Sequence, residues 1–333
     1  MQPPDRRSFL KFAASSLGIG VLYSAYPAAA LKDADSGGLF AALGRSNGER
    51  VAPFSFVQLS DAHVGFNGPP DPLGTKAFER AVDMINALPQ HPDLVLFTGD
   101  LTHDTEDKDV HAQRMRQFQE ISQRINVPVI KCVPGEHDAG LDSGALYREL
   151  FGDSHYSFDH RGVHFVALDN VTRAKPEIGA EQLAWLRKDL ARFSKTAPIV
   201  VFTHRPLFDL RPDWEWFTSD GDDVMNILAA YDNVTVLYGH IHRDDEHAIG
   251  NVHHYAARSL IFAFPDPAGD TGPRKALPFD QEHPFKNLGI RTVSFNGKPQ
   301  PGTSPLAIED IELTASEFRG INGMHQLLRN PNV

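Results

Sequence analysis

A single cysteine, Cys132, stands in a chain of 333 residues, which excludes an intramolecular disulfide and any zinc ribbon built on cysteines. A metal bound here must be held by histidine and carboxylate. A Lys/Arg-rich run is also missing: 32 basic residues face 43 acidic ones, for a formal net charge of -11. The electrostatic footprint that draws nucleic acid or another polyanion is therefore lacking, and no nucleic-acid partner is expected. There is no internal repeat and no low-complexity block. The longest mildly apolar stretch, residues 12–26, is broken by Ser and Gly, whereas a membrane span needs roughly 20 strongly apolar residues. What is present is a hydrophobic fraction of 41%, enough for one large core or two ordinary ones.

The N-terminus differs in kind from the remainder. Arg6 and Arg7 open RRSFLK, the mildly apolar stretch follows, and PAAA ends at Ala30. This resembles a twin-arginine export signal over residues 1–30, with a basic n-region, a short h-region and an Ala-x-Ala cleavage site. The expectation is export by the twin-arginine machinery to the periplasm or beyond, with no stable membrane span after cleavage. Loss of Asp5, Arg6, Arg7 and Lys11 with the signal would leave the exported chain more acidic still. Residues 31–50, rich in Gly, Ala and Ser without a sustained period, read as a linker. Residues 51–297 read as the folded domain and 298–333 as a C-terminal extension, in which AIEDIELTA is a candidate edge strand.

Five short apolar runs recur in the domain: FSFVQLS (54–60), DLVLFTG (93–99), VPVIKCV (127–133), APIVVFT (197–203) and NVTVLYG (233–239). Each is bounded by Gly, Pro, Asp or Asn, as buried strands are. Cys132 falls inside the third and reads as an inert core thiol. Helical patterns lie between several of them. Phe78, Ala81, Val82, Ile85 and Leu88 share one face over 75–88, Leu183, Leu186, Leu190 and Phe193 another over 180–193, and 222–231 forms a shorter helix. Two strands over 155–169 turn at Arg161-Gly162, a hairpin signal, and IRTVSFNG (290–297) reads as a late strand. The fold class is α/β, with sheets inside and helices outside.

The apolar runs share a chemistry at their exits. The first leads to Asp61-Ala62-His63, the second to Asp100, the third to Glu136-His137-Asp138, the fourth to His204, and the fifth to His240-Ile241-His242. Any one of these is ordinary in a chain with 16 histidines, since a strand-end Asp is usually a turn or cap residue. Together they demand more, because ligands in open α/β sheets gather in the crevice at the C-terminal ends of strands. Three carboxylates and four imidazoles in one dry crevice would repel and shift one another's pKa values unless cations lay among them.

Asp61-x-His63, Gly99-Asp100, Gly135-Glu136-His137-Asp138, His204 and Gly239-His240-x-His242 resemble, in order, the blocks of calcineurin-like metallophosphoesterases. The resemblance spans roughly residues 54–245. It implies a four-layer sandwich of two mixed β-sheets flanked by helices. It also implies two metal ions: Asp61, His63 and His242 on one, His204, His240 and residue 136 on the other, with Asp100 bridging. Mixed nitrogen and oxygen donors suit Fe, Mn or Zn. The implied activity is hydrolysis of a small-molecule phosphomonoester or phosphodiester by a hydroxide shared between ions roughly 3.5–4 Å apart. His137 would stand over the phosphoryl group, stabilising charge or protonating the leaving alkoxide. Asp138 either orients it or starts the next turn.

One position departs from that pattern. The usual block is Gly-Asn-His-Asp/Glu, with a neutral amide where this chain has Glu136. The site then becomes one unit more negative, which leads to the expectation of a trivalent ion such as Fe(III) at one position. The alternative is that Glu136 turns outward and impairs the second site, leaving a metal-binding or interaction module without turnover. His103, in GDLTHD, is either a substrate contact or a surface histidine beside Asp104, Glu106 and Asp107. Trp214 and Trp216, in RPDWEWF, either wall a substrate pocket or pack against the domain.

Overall fold

The computed structural model describes residues 53–267, 272–295 and 306–314, all within a unit running from Glu49 to Val333. The export segment over 1–30 and the linker over 31–50 lie outside the described residues. Among the described residues no helix is long and apolar enough to cross a membrane.

The five apolar runs form strands, but they divide between two sheets. Strands β1 (Phe54–Leu59), β2 (Leu94–Thr98) and β3 (Ile130–Val133) run parallel, and β10 (Gly289–Phe295) and β11 (Leu306–Glu312) extend that sheet antiparallel, in the order β11-β10-β1-β2-β3. The second sheet has the order β4-β5-β6-β7-β9-β8. It contains β4 (Tyr156–His160), β5 (Val163–Ala167), β6 (Pro198–Phe202), β7 (Asn233–Tyr238), β8 (Asp245–Ile249) and β9 (Val252–Ala256). Its centre is parallel and both outer strands are antiparallel. The crevice inferred from strand exits is therefore shared by two sheets, three exits from one and two from the other.

Side-chain alternation explains why both sheets are buried on both faces. Phe54, Phe56, Leu94 and Leu96 point from the first sheet toward Phe165, Val200, Phe202 and Leu237 of the second, forming the central layer. The intervening Val57, Leu59, Val95 and Phe97 meet helices α1 (Lys76–Asn86) and α2 (Lys108–Ser122). On the far side Ile199, Val201, Val234 and Val236 pack on Leu186 and Leu190 of α5 (Ala180–Leu190) and on Val224 and Leu228 of α6 (Gly221–Leu228). The layers are helix, sheet, sheet, helix. Full burial of one such Phe, Leu or Val contributes about 1.5–3 kcal/mol, and the aromatic set Phe78, Phe97 and Phe118, with centroids 4.9–5.6 Å apart, is one knot of it.

Helix α2 has no counterpart in the apolar periodicity, because its buried face is thin: Met115, Phe118 and Ile121 with His111 and Ser122. Its start is set by Asp107, whose carboxylate accepts from the amides of Asp109 and Val110. Two short helices, α3 (Glu136–Ala139) and α4 (Ala145–Phe151), follow β3. Strand β11 lies in the segment read as an extension, yet it completes the first sheet. Buried Arg291 on β10 makes a bidentate pair with Asp310, both contacts at 2.8 Å, and Arg258 binds Glu312 at 2.6 Å.

Cys132 is buried on β3, and burial, with Asp138 adding, pushes its thiol up to about 12. At pH 8 so little thiolate forms that reaction with Ellman's reagent should be at least about 100-fold slower in the native protein than in guanidinium. Rapid native labelling in a stopped-flow trace would contradict the packing around Tyr147 and Tyr156, whose hydroxyls both donate to the Cys132 carbonyl at 2.8 Å.

Candidate metal centre

Backbone conformation aims the exit residues. Asp61 (φ 54°), His63 (40°), Asp100 (47°), His240 (67°) and His242 (53°) all adopt the left-handed region, which costs about 1–3 kcal/mol for each non-glycine residue. Five of the seven predicted donors thus sit where strand geometry is broken, and the neighbouring loops hold them there. The amides of Asp61 and His63 donate to the carbonyls of Gly99 and Asp100, each at 3.0 Å. Gly135 is required because a Cβ there would fall on the Asp100 carboxylate. Asp138 neither orients His137 nor merely starts a turn. Its buried carboxylate accepts from the amides of Gly135, Leu101 and Thr102 and from the Thr102 hydroxyl at 2.9–3.0 Å, lacing the β2 and β3 exits together.

All seven predicted donors come together, in two groups that share Asp100. Ligand atoms of Asp61, His63, Asp100 and His242 lie within 4.8 Å of one another, as do those of Asp100, Glu136, His204 and His240. Asp100 Oδ2 is 3.4 Å from both His63 Nε2 and His204 Nε2. Glu136 turns inward: Oε2 is 2.7 Å from His204 Nε2, and Oε1 is 2.8 Å from His240 Nδ1.

The tautomers show what these groups need. His204 Nδ1 donates to the Thr98 carbonyl at 2.7 Å, His242 Nδ1 to that of Phe262 at 2.9 Å, and His240 Nε2 to that of Glu215 at 3.2 Å. In the neutral rings the opposite nitrogens then carry lone pairs, and these face other lone pairs. His242 Nε2 points at His63 Nε2 across 3.2 Å and lies 3.5 Å from Asp61 Oδ1. Glu136 Oε2 and His204 Nε2, both buried, face each other at 2.7 Å. Such a set closes only around positive charge. Burial pushes Asp61 up to about 8, and His204, which burial alone would lower, is driven well above its usual value by Asp100 and Glu136. Donor types, separations and outward-facing second nitrogens all fit a pair of metal ions.

His137 stands beside the shared carboxylate. Its amide donates to Asp100 Oδ1 at 3.0 Å and its Nε2 lies 3.9 Å from Asp100 Oδ2, while Nδ1 meets Asp104 Oδ1 at 2.8 Å. Burial lowers its pKa, but Asp100, Asp104 and Glu136 outweigh that and push it up to about 9. His103 is half-buried rather than a free surface residue. Its ring stacks on His137 at 4.9 Å and its Nδ1 is 3.3 Å from His63 Nδ1. A cavity of about 330 Å³ opens here, lined by Glu136, His137, Asp104, Thr105, Glu106 and Leu141. A larger one, about 600 Å³, borders Phe262 and the 277–288 loop and includes none of the seven donors.

The two tryptophans are not brought to the cavity. Trp214 and Trp216 are 2% and 0% exposed and pack edge-to-face at 4.9 Å over Tyr238 and Ile241, so the expectation that they wall a substrate pocket gives way to packing. Three contributions carried no signal of their own. Arg205, next to His204, places Nη2 3.3 Å from Glu136 Oε1. Asp104 holds His137, and the Glu215 and Phe262 carbonyls fix two imidazoles.

The structure is a four-layer α/β/β/α sandwich in which two groups able to hold metal ions share one carboxylate. The calcineurin-like phosphoesterase family model matches residues 54–244, and the chain belongs to that family. It is 27% identical over 201 residues to the Arcobacter nitrofigilis protein named "Probable glycerophosphodiester phosphodiesterase GpdQ", covering 56% of this chain and 71% of that protein. It is 27% identical over 250 residues to the serine/threonine-protein phosphatase CPPED1 of Homo sapiens, covering 63% and 79%. Among solved structures, a dimetal phosphatase from Danio rerio superposes with a TM-score of 0.55 at 14% identity, covering 80% of this chain and all of that one. The purple acid phosphatase PPD1 of yellow lupin gives 0.58 at 16% identity, covering 81% and 52%. The chain is a hydrolase acting on phosphoric esters.

Proposed function

We propose that the protein hydrolyses a small-molecule phosphomonoester or phosphodiester at a centre of two ions, Fe, Mn or Zn, held by Asp61, His63, Asp100 and His242 and by Asp100, Glu136, His204 and His240. The observation that carries this reading is Asp100, common to both donor groups and in contact with the backbone of His137. Ions held by these residues would supply charge neutralisation at the phosphoryl oxygens and a more acidic water. The protein's part is orientation and proton transfer. Asp104 fixes the His137 ring through Nδ1, which leaves Nε2 over the shared carboxylate to hydrogen-bond a phosphoryl oxygen or pass a proton to the departing alkoxide. His103, stacked on His137, limits where that ring can turn. The cavity beside His137 is sized for a small ester, and the names of the relatives span diesterases and a phosphatase. Export by the twin-arginine route, to the periplasm, belongs to the same reading and rests on the Arg6-Arg7 segment and the site at Ala30.

The test is to strip the protein with chelator, reload it with Mn(II), Zn(II) or iron, count bound ions, and assay p-nitrophenyl and bis-p-nitrophenyl phosphate. Turnover at least about a thousandfold above the stripped protein is expected, and the preferred substrate separates monoesterase from diesterase. Two bound ions with no turnover on either ester would leave the ion-binding module.

A further inference from the structure

The carboxylate at 136 has a partner that its place in the sequence does not announce. Arg205 is one residue beyond the donor His204. Its side chain is only 10% exposed, and its Nη2 approaches Glu136 Oε1 at 3.3 Å, the same oxygen that faces His240 Nδ1 at 2.8 Å. The guanidinium is held from behind, since Nη1 donates to the Glu215 carbonyl at 2.8 Å. That carbonyl also accepts from His240 Nε2 at 3.2 Å. One backbone oxygen thus fixes both groups that face Glu136 Oε1. Its own placement is built: Glu215 adopts φ 61° between buried Trp214 and Trp216, and the Arg211 and Trp216 backbones pair across the turn. At the other end, Asn170 clamps the Arg205 backbone, accepting from its amide at 3.3 Å and donating to its carbonyl at 3.0 Å.

We propose that Arg205 is the charge-balancing and positioning partner of Glu136, and that the RPDWEW turn is the scaffold that keeps the pair in register with the second ion position. This rests on the two-ion reading above and sharpens it. A carboxylate at 136 removes one unit of positive charge relative to a neutral amide, and the Arg205 guanidinium returns it from within hydrogen-bond reach. The centre then keeps its attraction for a phosphate dianion with two divalent ions, and the trivalent ion expected from the sequence is not needed. The tryptophans also acquire a role: their burial determines where the Glu215 carbonyl points.

The sign of the effect makes the pair testable by compensation. The parent, Arg205→Met, Arg205→Lys, Glu136→Asn and the double variant Glu136→Asn/Arg205→Met are loaded with Zn(II). Metal content is counted, and inorganic phosphate binding is measured by calorimetry. Arg205→Met removes a positive charge a few ångströms from the phosphate position and should weaken binding by about tenfold. Glu136→Asn should strengthen it by a similar factor, and the double variant should return to within about threefold of the parent. Arg205→Lys, keeping the charge but not the fork, should lie between parent and Arg205→Met. A double variant that binds phosphate no better than Arg205→Met, so that removing the carboxylate fails to offset loss of the guanidinium, would show that Arg205 meets phosphate independently of Glu136, overturning the proposal. So would a parent that, loaded with mixed Fe(III) and Zn(II), retains one Fe(III) per chain in preference to zinc. If the parent takes up two ions and hydrolyses esters but the variants do not compensate, only this inference fails; a parent that holds no ions or turns over no ester removes the reading beneath it.

Discussion

Asp100→Asn is expected to lower kcat/KM on bis-p-nitrophenyl phosphate by roughly a thousandfold or more and to leave fewer than two ions per chain after gel filtration. Asp100 is the one side chain shared by both donor groups, with Oδ2 3.4 Å from His63 Nε2 and from His204 Nε2 and Oδ1 accepting the His137 amide. Asparagine keeps the volume and can still accept from that amide, so the loops should stay folded. It cannot present a second anionic oxygen between two groups of imidazoles. One charge is lost from a buried site in which Asp61 and Glu136 are the remaining carboxylates, so the two positions can no longer be neutralised together. The measurement pairs an ion count with turnover at saturating metal. Two tightly held ions and activity within tenfold of the parent would sink the shared-carboxylate geometry.

The contrast between Asp100 and Arg205 shows which kinds of contribution a sequence can display. Asp61, His63, Asp100, His204, His240 and His242 were legible because each follows an apolar run directly, and a strand that ends in a ligand-type residue says where that residue goes. The left-handed turns at five donors were not legible, since none is glycine, the residue for which such a conformation is ordinary. Nor was the division of the five strands between two sheets, because a run buried on both faces looks the same wherever it pairs. Arg205 reads as one more arginine until the fold brings Glu136 to it across the crevice. The Glu215 and Phe262 carbonyls have no side-chain identity to read. Trp214 and Trp216 illustrate the opposite limit: large aromatics in a loop near a ligand fit either a pocket wall or packing in the sequence, and the fold uses them for packing.

The same reasoning separates chemistry from ion binding at His137. His137→Ala is expected to retain two ions, because its ring belongs to neither four-residue donor group sharing Asp100, and yet to lose about a hundredfold to ten-thousandfold in kcat. The loss should depend on the leaving group. p-Nitrophenolate departs with little help, so if His137 Nε2 gives a proton to the leaving oxygen, the variant should suffer far more with phenyl phosphate than with p-nitrophenyl phosphate. Asp104→Asn should reproduce that dependence at smaller amplitude, since it weakens the 2.8 Å contact that fixes the ring without removing the imidazole. A deficit of equal size for both esters would instead assign His137 to the non-bridging phosphoryl oxygens, whose charge does not track the leaving group. Loss of an ion in His137→Ala would place the imidazole among the donors, and the division of labour between Asp100 and His137 would have to be redrawn.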